Sequence, residues 1–109
     1  MDRDGIRKNF RSAVNMTADE LDRWLRTPES RRVGFRRPGA TESVGHASGR
    51  RIAAILRSPA TELGDDDYAH MRKVVGYVRR HKAQRPENIY TSRWRYSLMN
   101  WGHDPTKEA

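Results

Sequence analysis

The sequence predicts an all-α protein of four to five helices, folded as one small domain around a long helix at about residues 66–85. Apolar residues recur at the three- and four-residue spacing of amphipathic helices, and no alternating run of β-branched residues is long enough for a strand. The 109 residues, 35% hydrophobic and 33% charged, can build one modest core. Residues 1–109 are therefore expected to form a single domain, with loose ends at 1–3 and 106–109.

The central helix carries opposite charges at its two ends. The aspartates at 65–67 stand at its start, where a carboxylate can cap free amides and oppose the positive end of the helix dipole. Cations crowd residues 79–85 at its finish, and Pro86 stops it. One arc of the helix is apolar and must be buried: Tyr68, Met71, Val74, Val75 and Val78.

Two short helices are predicted at the start of the chain. An apolar residue at every fourth position predicts the first over residues 4–14. The second, over 17–26, begins with a capping box, in which the Thr17 hydroxyl and the Glu20 carboxylate each bind a free amide. Pro28 suits the first position of another helix, which is expected to add only one turn.

A basic loop is predicted at residues 31–42, because its glycines and proline forbid a long regular element. Arginines on both sides of Phe35 suit a mobile arm that grasps phosphate. The alternative is an arginine-rich solvated loop that tucks Val33 and Phe35 into the core. The sequence does not decide between these two interpretations.

The third helix is predicted to end before Pro59 and to be capped by either Ser43 or Ser48. If it begins at Ser43, three small residues recur along one face at four-residue spacing: Gly45, Gly49 and Ala53. Such a stripe lets a backbone or a phosphate come close. We expect it to pack against the central helix near Gly76.

A last helix is predicted at about 92–101, capped by Thr91. Three large apolar residues fall on its inner face and are expected to pack on the central helix: Trp94, Leu98 and Trp101. Gly102 is placed to end the helix, and Pro105 lies just beyond it.

The charge of the chain favours a polyanionic partner. Its 22 Lys and Arg against 14 Asp and Glu give a formal net charge of +8, which attracts nucleic acid before other partners. Residues 31–57 hold seven arginines and one acid, and residues 68–85 hold six cations and no acid. The alternative explanation is a basic surface that serves only solubility.

Other features restrict the class of protein. No apolar run approaches the length of a membrane span, and no signal-peptide core begins the chain, so no membrane partner is expected. The chain has no cysteine, which fits a cytoplasmic protein and removes thiolate metal ligands. No motif calls for a cofactor.

Four segments carry a family resemblance: NMTADELDRWL at 15–25, ESVGHASGRRI at 42–52, HMRKVVGYVRRH at 70–81 and WRYSLMNWGHDP at 94–105. They resemble a set of small bacterial and fungal proteins that constitutes a domain of unknown function. Its members are often labelled simply as DNA-binding proteins. The resemblance implies one compact unit and an expectation of DNA binding, and it brings no catalytic residues.

Eight cations form the candidate nucleic-acid site: Arg36, Arg37, Arg50, Arg51, Arg72, Lys73, Arg79 and Arg80. Arginine forks suit phosphate oxygens and can also bind guanine. No helix-turn-helix spacing or zinc finger is present, so we expect phosphate-led, weakly specific binding of DNA, with RNA as the alternative. The hypothesis fails if the four cations of the central helix are buried in internal ion pairs.

The four histidines do not support a metal site, because no two have the three- or four-residue spacing of helical metal ligands. Glu42, His46 and His103 could form a polar cluster that acts as an acid–base pair on an anionic substrate. We favour capping and buried hydrogen bonding, and therefore a protein that is not an enzyme. The other alternative is a module that docks an acidic protein partner. The oligomeric state is not predicted.

Overall fold

Six α-helices and two short 3₁₀ helices build the part of the chain that this computed structural model describes, residues 2–108. The α-helices are α1 (Arg3–Ala13), α2 (Ala18–Leu25), α3 (Pro28–Arg32), α4 (Val44–Arg57), α5 (Asp65–Lys82) and α6 (Arg93–Asn100). The 3₁₀ helices are Ala60–Glu62 and Pro105–Glu108. Residues 2–108 contain no strand, and the all-α prediction is confirmed. The count exceeds five because the turn expected at Pro28 is a helix of five residues.

The predicted central helix is α5. At its start the Asp67 carboxylate accepts the Gly64 amide at 3.0 Å, as expected for an acidic cap. The predicted apolar arc from Tyr68 to Val78 is buried. The helix ends at Lys82, three residues before the predicted end. None of the described helices has the length and apolar character that a membrane crossing needs.

Side-chain caps begin the other helices. The predicted capping box is present, with the Glu20 amide bound to the Thr17 hydroxyl at 3.1 Å and the Thr17 amide bound to the Glu20 carboxylate at 2.9 Å. Ser43 caps α4, which settles the choice that the sequence left open. The cap of α6 is Ser92, whose hydroxyl accepts the amide of the third helical residue at 3.2 Å. The prediction of Thr91 was therefore wrong by one position.

The glycine stripe of α4 lies against the end of α6 and against α2. A Cβ on Gly49 would lie 2.6 Å from the Asn100 carbonyl oxygen and 2.7 Å from Leu25 Cδ2. A Cβ on Gly45 would lie 3.0 Å from Trp101 Nε1. Glycine at both positions therefore lets the chain around Asn100 and Trp101 approach the backbone of α4.

The expectation that this stripe packs near Gly76 was wrong. The Trp101 indole contacts Gly45 on α4 and stacks on Tyr77 of α5, with ring centroids 4.3 Å apart. A large aromatic ring thus stands where a direct helix contact was expected. A Cβ on Gly76 would meet only the side chain of Arg80, at 3.0 Å.

The predicted packing of α6 on α5 is confirmed for its two tryptophans. Trp94 Nε1 donates to the His81 carbonyl oxygen at 2.6 Å, and Trp101 stacks on α5. Gly102 ends the helix as predicted, with a φ of +82°. Its amide binds the Met99 carbonyl at 2.9 Å, and the His103 amide reaches back to Leu98, which is the Schellman arrangement.

The turn at residues 100–104 binds three other parts of the chain. The Gly102 carbonyl accepts the amides of Asn15 and Met16 at 3.1 and 3.2 Å. The Asn15 side chain exchanges two hydrogen bonds with the Asp104 backbone, at 2.7 and 3.0 Å. A third set of bonds joins the turn to α2 and α3, because the Asn100 side chain binds Trp24 and Ser30.

Residues near both chain ends make contacts in the structure. Lys107 donates to the Glu20 carboxylate at 2.8 Å and to the Asn15 carbonyl at 3.0 Å, which holds the final 3₁₀ helix on the domain. Residues 2 and 3 cap and begin α1. The looseness expected at residues 1–3 and 106–109 stays a prediction, and positions 1 and 109 lie outside the described residues.

Gly102→Ala should lower the free energy of unfolding by about 2–4 kcal/mol, because a Cβ is strained at this φ and would lie 3.0 Å from Val14 Cγ1. Urea denaturation measures the loss. Gly39→Ala is the matched control, since Gly39 has a φ of +80° with no neighbour within 4 Å. Equal losses in the two variants would show that the contact with Val14 is unimportant.

Candidate nucleic-acid interface

The outward face of α5 carries two pairs of cations. Arg72 and Arg79 form one pair, and Lys73 and Arg80 form the other, with Gly76 between them in sequence. Seven residues separate the members of each pair, which is about 10.5 Å along a helix. All four side chains are exposed.

These four cations have no internal ion pair. Among residues 2–108, each carboxylate that makes an ion pair makes it with another cation. The chain from residue 68 to residue 86 contains no Asp or Glu. The condition under which the nucleic-acid hypothesis fails is thus not met.

The basic loop agrees in part with each of the two interpretations of its sequence: Val33 is in the core, and Phe35 is not. Val33 is 2% exposed and belongs to the interior, whereas Phe35 is 69% exposed. Arg36 and Arg37, which follow Phe35 directly, are also exposed. The Arg36 side chain donates to the Arg31 carbonyl oxygen at 3.3 Å. The loop therefore presents an aromatic ring and neighbouring guanidinium groups to solvent.

The two candidate arginines of α4 are engaged within the protein. Arg50 binds the Glu42 carboxylate, and Arg51 lies 3.3 Å from Asp67. The Arg50 hydrogen bond, assisted by His46, lowers the pKa of Glu42 to about 2 against the opposing effect of burial. Arg50 and Arg51 are thus less available to an outside anion than the cations of α5.

A cavity of about 320 Å³ opens between the basic loop, α4, α5 and α6. Its lining includes three cations and three aromatic rings: Arg37, Lys73, Arg80, Phe35, Tyr77 and Trp101. No Asp or Glu lines it. The site is therefore a mixed aromatic and cationic pocket.

A neighbouring cavity of about 230 Å³ continues this pocket along α5. The two share Arg37, Lys73 and Trp101, and the second adds Arg51 and His70. Its lining also lacks Asp and Glu. Together they form a groove whose charged lining residues are all Arg or Lys, which we call the aromatic groove.

The wall of this groove contains three rings of a stacked column of four, and the fourth ring, His81, lies outside the lining. His70, Trp101, Tyr77 and His81 follow one another with centroid separations of 6.2, 4.3 and 5.1 Å and interplanar angles of 13° to 16°. Trp101 comes from the end of α6 and enters between side chains of α5. The column fixes the position of the Trp101 edge in the groove.

Both histidines of the column favour the neutral form. Burial, assisted by the charges of Arg51 and Lys73, lowers the pKa of His70 to about 4. Burial likewise lowers the pKa of His81. The His70 ring is held by Ser48, whose hydroxyl oxygen lies 2.9 Å from Nε2. At neutral pH the positive charge of the groove thus comes from Arg and Lys.

The proposed polar cluster is only partly assembled. His46 contacts Glu42 through Nδ1 at 2.5 Å and donates from Nε2 to the Leu25 carbonyl oxygen at 2.8 Å. His103 instead donates from Nδ1 to the Ala13 carbonyl oxygen at 2.7 Å. The three groups therefore do not share one pocket, and both nitrogens of His46 serve internal contacts. No group of potential metal ligands occurs among residues 2–108.

The fold and this groove define a small, basic all-α protein with an aromatic surface site. The chain matches the family described as "Protein of unknown function (DUF3140)" over residues 9–99, and it belongs to that family. No curated protein and no solved structure matches the chain. The family match covers α2 to α5 and all but the last residue of α6, and it ends before Asn100 and Trp101 of the groove.

Sequence reasoning found the cations of the groove and singled out Phe35, but it missed Tyr77 and Trp101 as lining residues. Trp101 was assigned to the core from its helical spacing, and it is indeed only 4% exposed. Tyr77 lies on the border between the apolar and cationic arcs of α5, and that position was the available signal. Its neighbour Trp101 arrives from a distant part of the chain, which the pattern of α5 alone does not reveal.

The stability of the protein should fall as the pH drops from 6.5 towards 4. In this window His70 takes up a proton in the unfolded chain but not in the folded one, so its contribution to the free energy of unfolding, on the order of 1–3 kcal/mol, is lost. Urea titrations at several pH values should show a weaker decline for His70→Gln. Parallel pH profiles for the two proteins would contradict the assignment.

Proposed function

We propose that this protein is a non-enzymatic nucleic-acid-binding protein, with DNA as the expected partner. Its contact surface is the outward face of α5 together with the basic loop. The proposal follows from the exposed cations of these two elements, which make no ion pair with the described residues.

The observation that carries the proposal is the contrast between the cations of α5 and the arginines of α4. Arg57 on α4 is held by Asp19 at 2.7 Å and Asp22 at 2.6 Å, and Arg50 is held by Glu42. Arg72 and Arg79 have no such partner among the described residues. Unpaired, exposed guanidinium groups keep their full capacity for phosphate oxygens.

The same geometry favours binding that is led by phosphates. Cations about 10.5 Å apart along one helix can follow a polyanionic backbone. Release of the counterions condensed on the nucleic acid then drives association. This contribution to the affinity does not depend on the base sequence. The small residues Ala69, Gly76 and Ala83 lie on this face and leave room for a backbone to come near. We therefore propose weak sequence specificity.

The affinity for a 20-base-pair duplex should depend steeply on salt. If Arg36, Arg37 and the four cations of α5 each contact one phosphate, affinity should fall by about 10³-fold between about 50 and 200 mM salt. Arg72→Ala with Arg79→Ala removes two contacts, so the fall should shrink to about 10²-fold. Fluorescence anisotropy of a labelled duplex measures both values.

Arg50→Ala with Arg57→Ala is the control for that experiment, because it removes the same formal charge from arginines that are already ion-paired. Circular dichroism checks that each variant is folded. The control should keep a salt dependence close to that of the wild type. An equal loss in both variants, or no binding of the wild type at the lower salt, would contradict the proposal.

A further inference from the structure

We propose that the aromatic groove holds an unpaired nucleotide of a nucleic-acid strand, with the base against the aromatic rings and its phosphates on Arg37, Lys73 and Arg80. This inference rests on the proposed function and goes beyond it, because a phosphate-led surface alone does not distinguish a single strand from a duplex. Three features of the groove support it: an exposed ring, a hydrogen-bond donor without a protein acceptor, and cations without a carboxylate in the lining.

Phe35 supplies a surface for stacking. It is 69% exposed although it lines the cavity, and it is followed directly by Arg36 and Arg37. An aromatic ring beside cations in a groove is the arrangement by which proteins bind single strands, because every base has a π-face and every nucleotide a phosphate. The ring is also placed at the protein surface, where a base can reach it.

Trp101 supplies an unused donor inside the cavity. The indole N–H groups of Trp24 and Trp94 donate to Asn100 Oδ1 at 2.8 Å and to the His81 carbonyl at 2.6 Å. The corresponding group of Trp101 donates to no described residue, and its nitrogen is not among the buried polar atoms that lack a partner, so it is open to the cavity. An acceptor on the edge of a base would take the place of water at this donor.

Gly45 keeps that donor accessible. A Cβ at this position would lie 3.0 Å from Trp101 Nε1, so any larger residue would crowd the indole edge. The cavity of about 320 Å³ is at the small end of the range for ligand pockets, which suits one nucleotide. Its lining has three cations and no carboxylate, and this charge complements a phosphodiester.

The test compares the oligonucleotide (dT)12 with a strand of the same length and charge in which every site is abasic. The wild type should bind (dT)12 more tightly by roughly 5- to 150-fold, the measured range for stacking of a base on an aromatic side chain. Phe35→Ala should abolish most of this difference, and Phe35→Trp should retain it. Binding to the duplex should change little in either variant.

Tyr90→Ala is the matched control, because Tyr90 is the other large apolar residue that is strongly exposed, at 59%, and it does not line the cavity. It should keep the preference for (dT)12. Gly45→Ala and Ser97→Leu narrow the cavity without changing the charge, and each should reduce the preference. Having two such variants guards against one that does not fold.

The outcomes separate this inference from the proposed function. If no nucleic acid binds, both fail. If the duplex binds with the expected salt dependence but (dT)12 and the abasic strand bind equally, only the aromatic groove proposal fails. It is also overturned if thymidine monophosphate binds as tightly as (dT)12, because the occupant would then be a free nucleotide and not part of a strand.

Discussion

The close contact between the turn at residues 100–104 and the surrounding helices is the constraint on which this structure depends. The turn touches α4 where Gly49 leaves no room for a side chain, and its backbone binds the segment that follows α1. Asn100 joins it to α2 and α3, while Trp101 enters the ring column of α5. A small protein with a modest core thus gains long-range order from one buried polar turn.

This constraint also shapes the proposed binding surface. Because Trp101 stands between Gly45 of α4 and Tyr77 of α5, the two helices do not close on each other at this point, and the aromatic groove remains there. The acidic residues are committed elsewhere: Glu42 to Arg50, and Asp67 to Arg51. The exposed charges that remain without an ion pair on the outward face of α5 are therefore positive. The groove left by helix packing and these unpaired cations lie on the same face of the protein.

Local chemistry was predictable from the sequence, whereas contacts between distant segments were not. The caps at Thr17 and Gly102 depend on neighbouring residues alone, and both were predicted correctly. The predicted partner of the glycine stripe, Gly76, was wrong. The stripe instead meets Trp101, which lies more than fifty residues from Gly45 in the sequence. For the site, helical spacing identified the exposed cations of α5. It could not reveal that Arg51 pairs with Asp67, since that contact needs two helices in place.

The most direct test of the account is a titration of the ¹⁵N-labelled protein with a short DNA duplex, followed by NMR at low salt. The account predicts that amide shift changes concentrate at residues 34–37 and 72–80, where the unpaired cations lie. The amides around Asp19 and Arg57, on the ion-paired surface, should change little. Changes centred on that ion-paired surface, or none anywhere, would contradict the claim that unpaired charge on α5 and the loop makes the binding site.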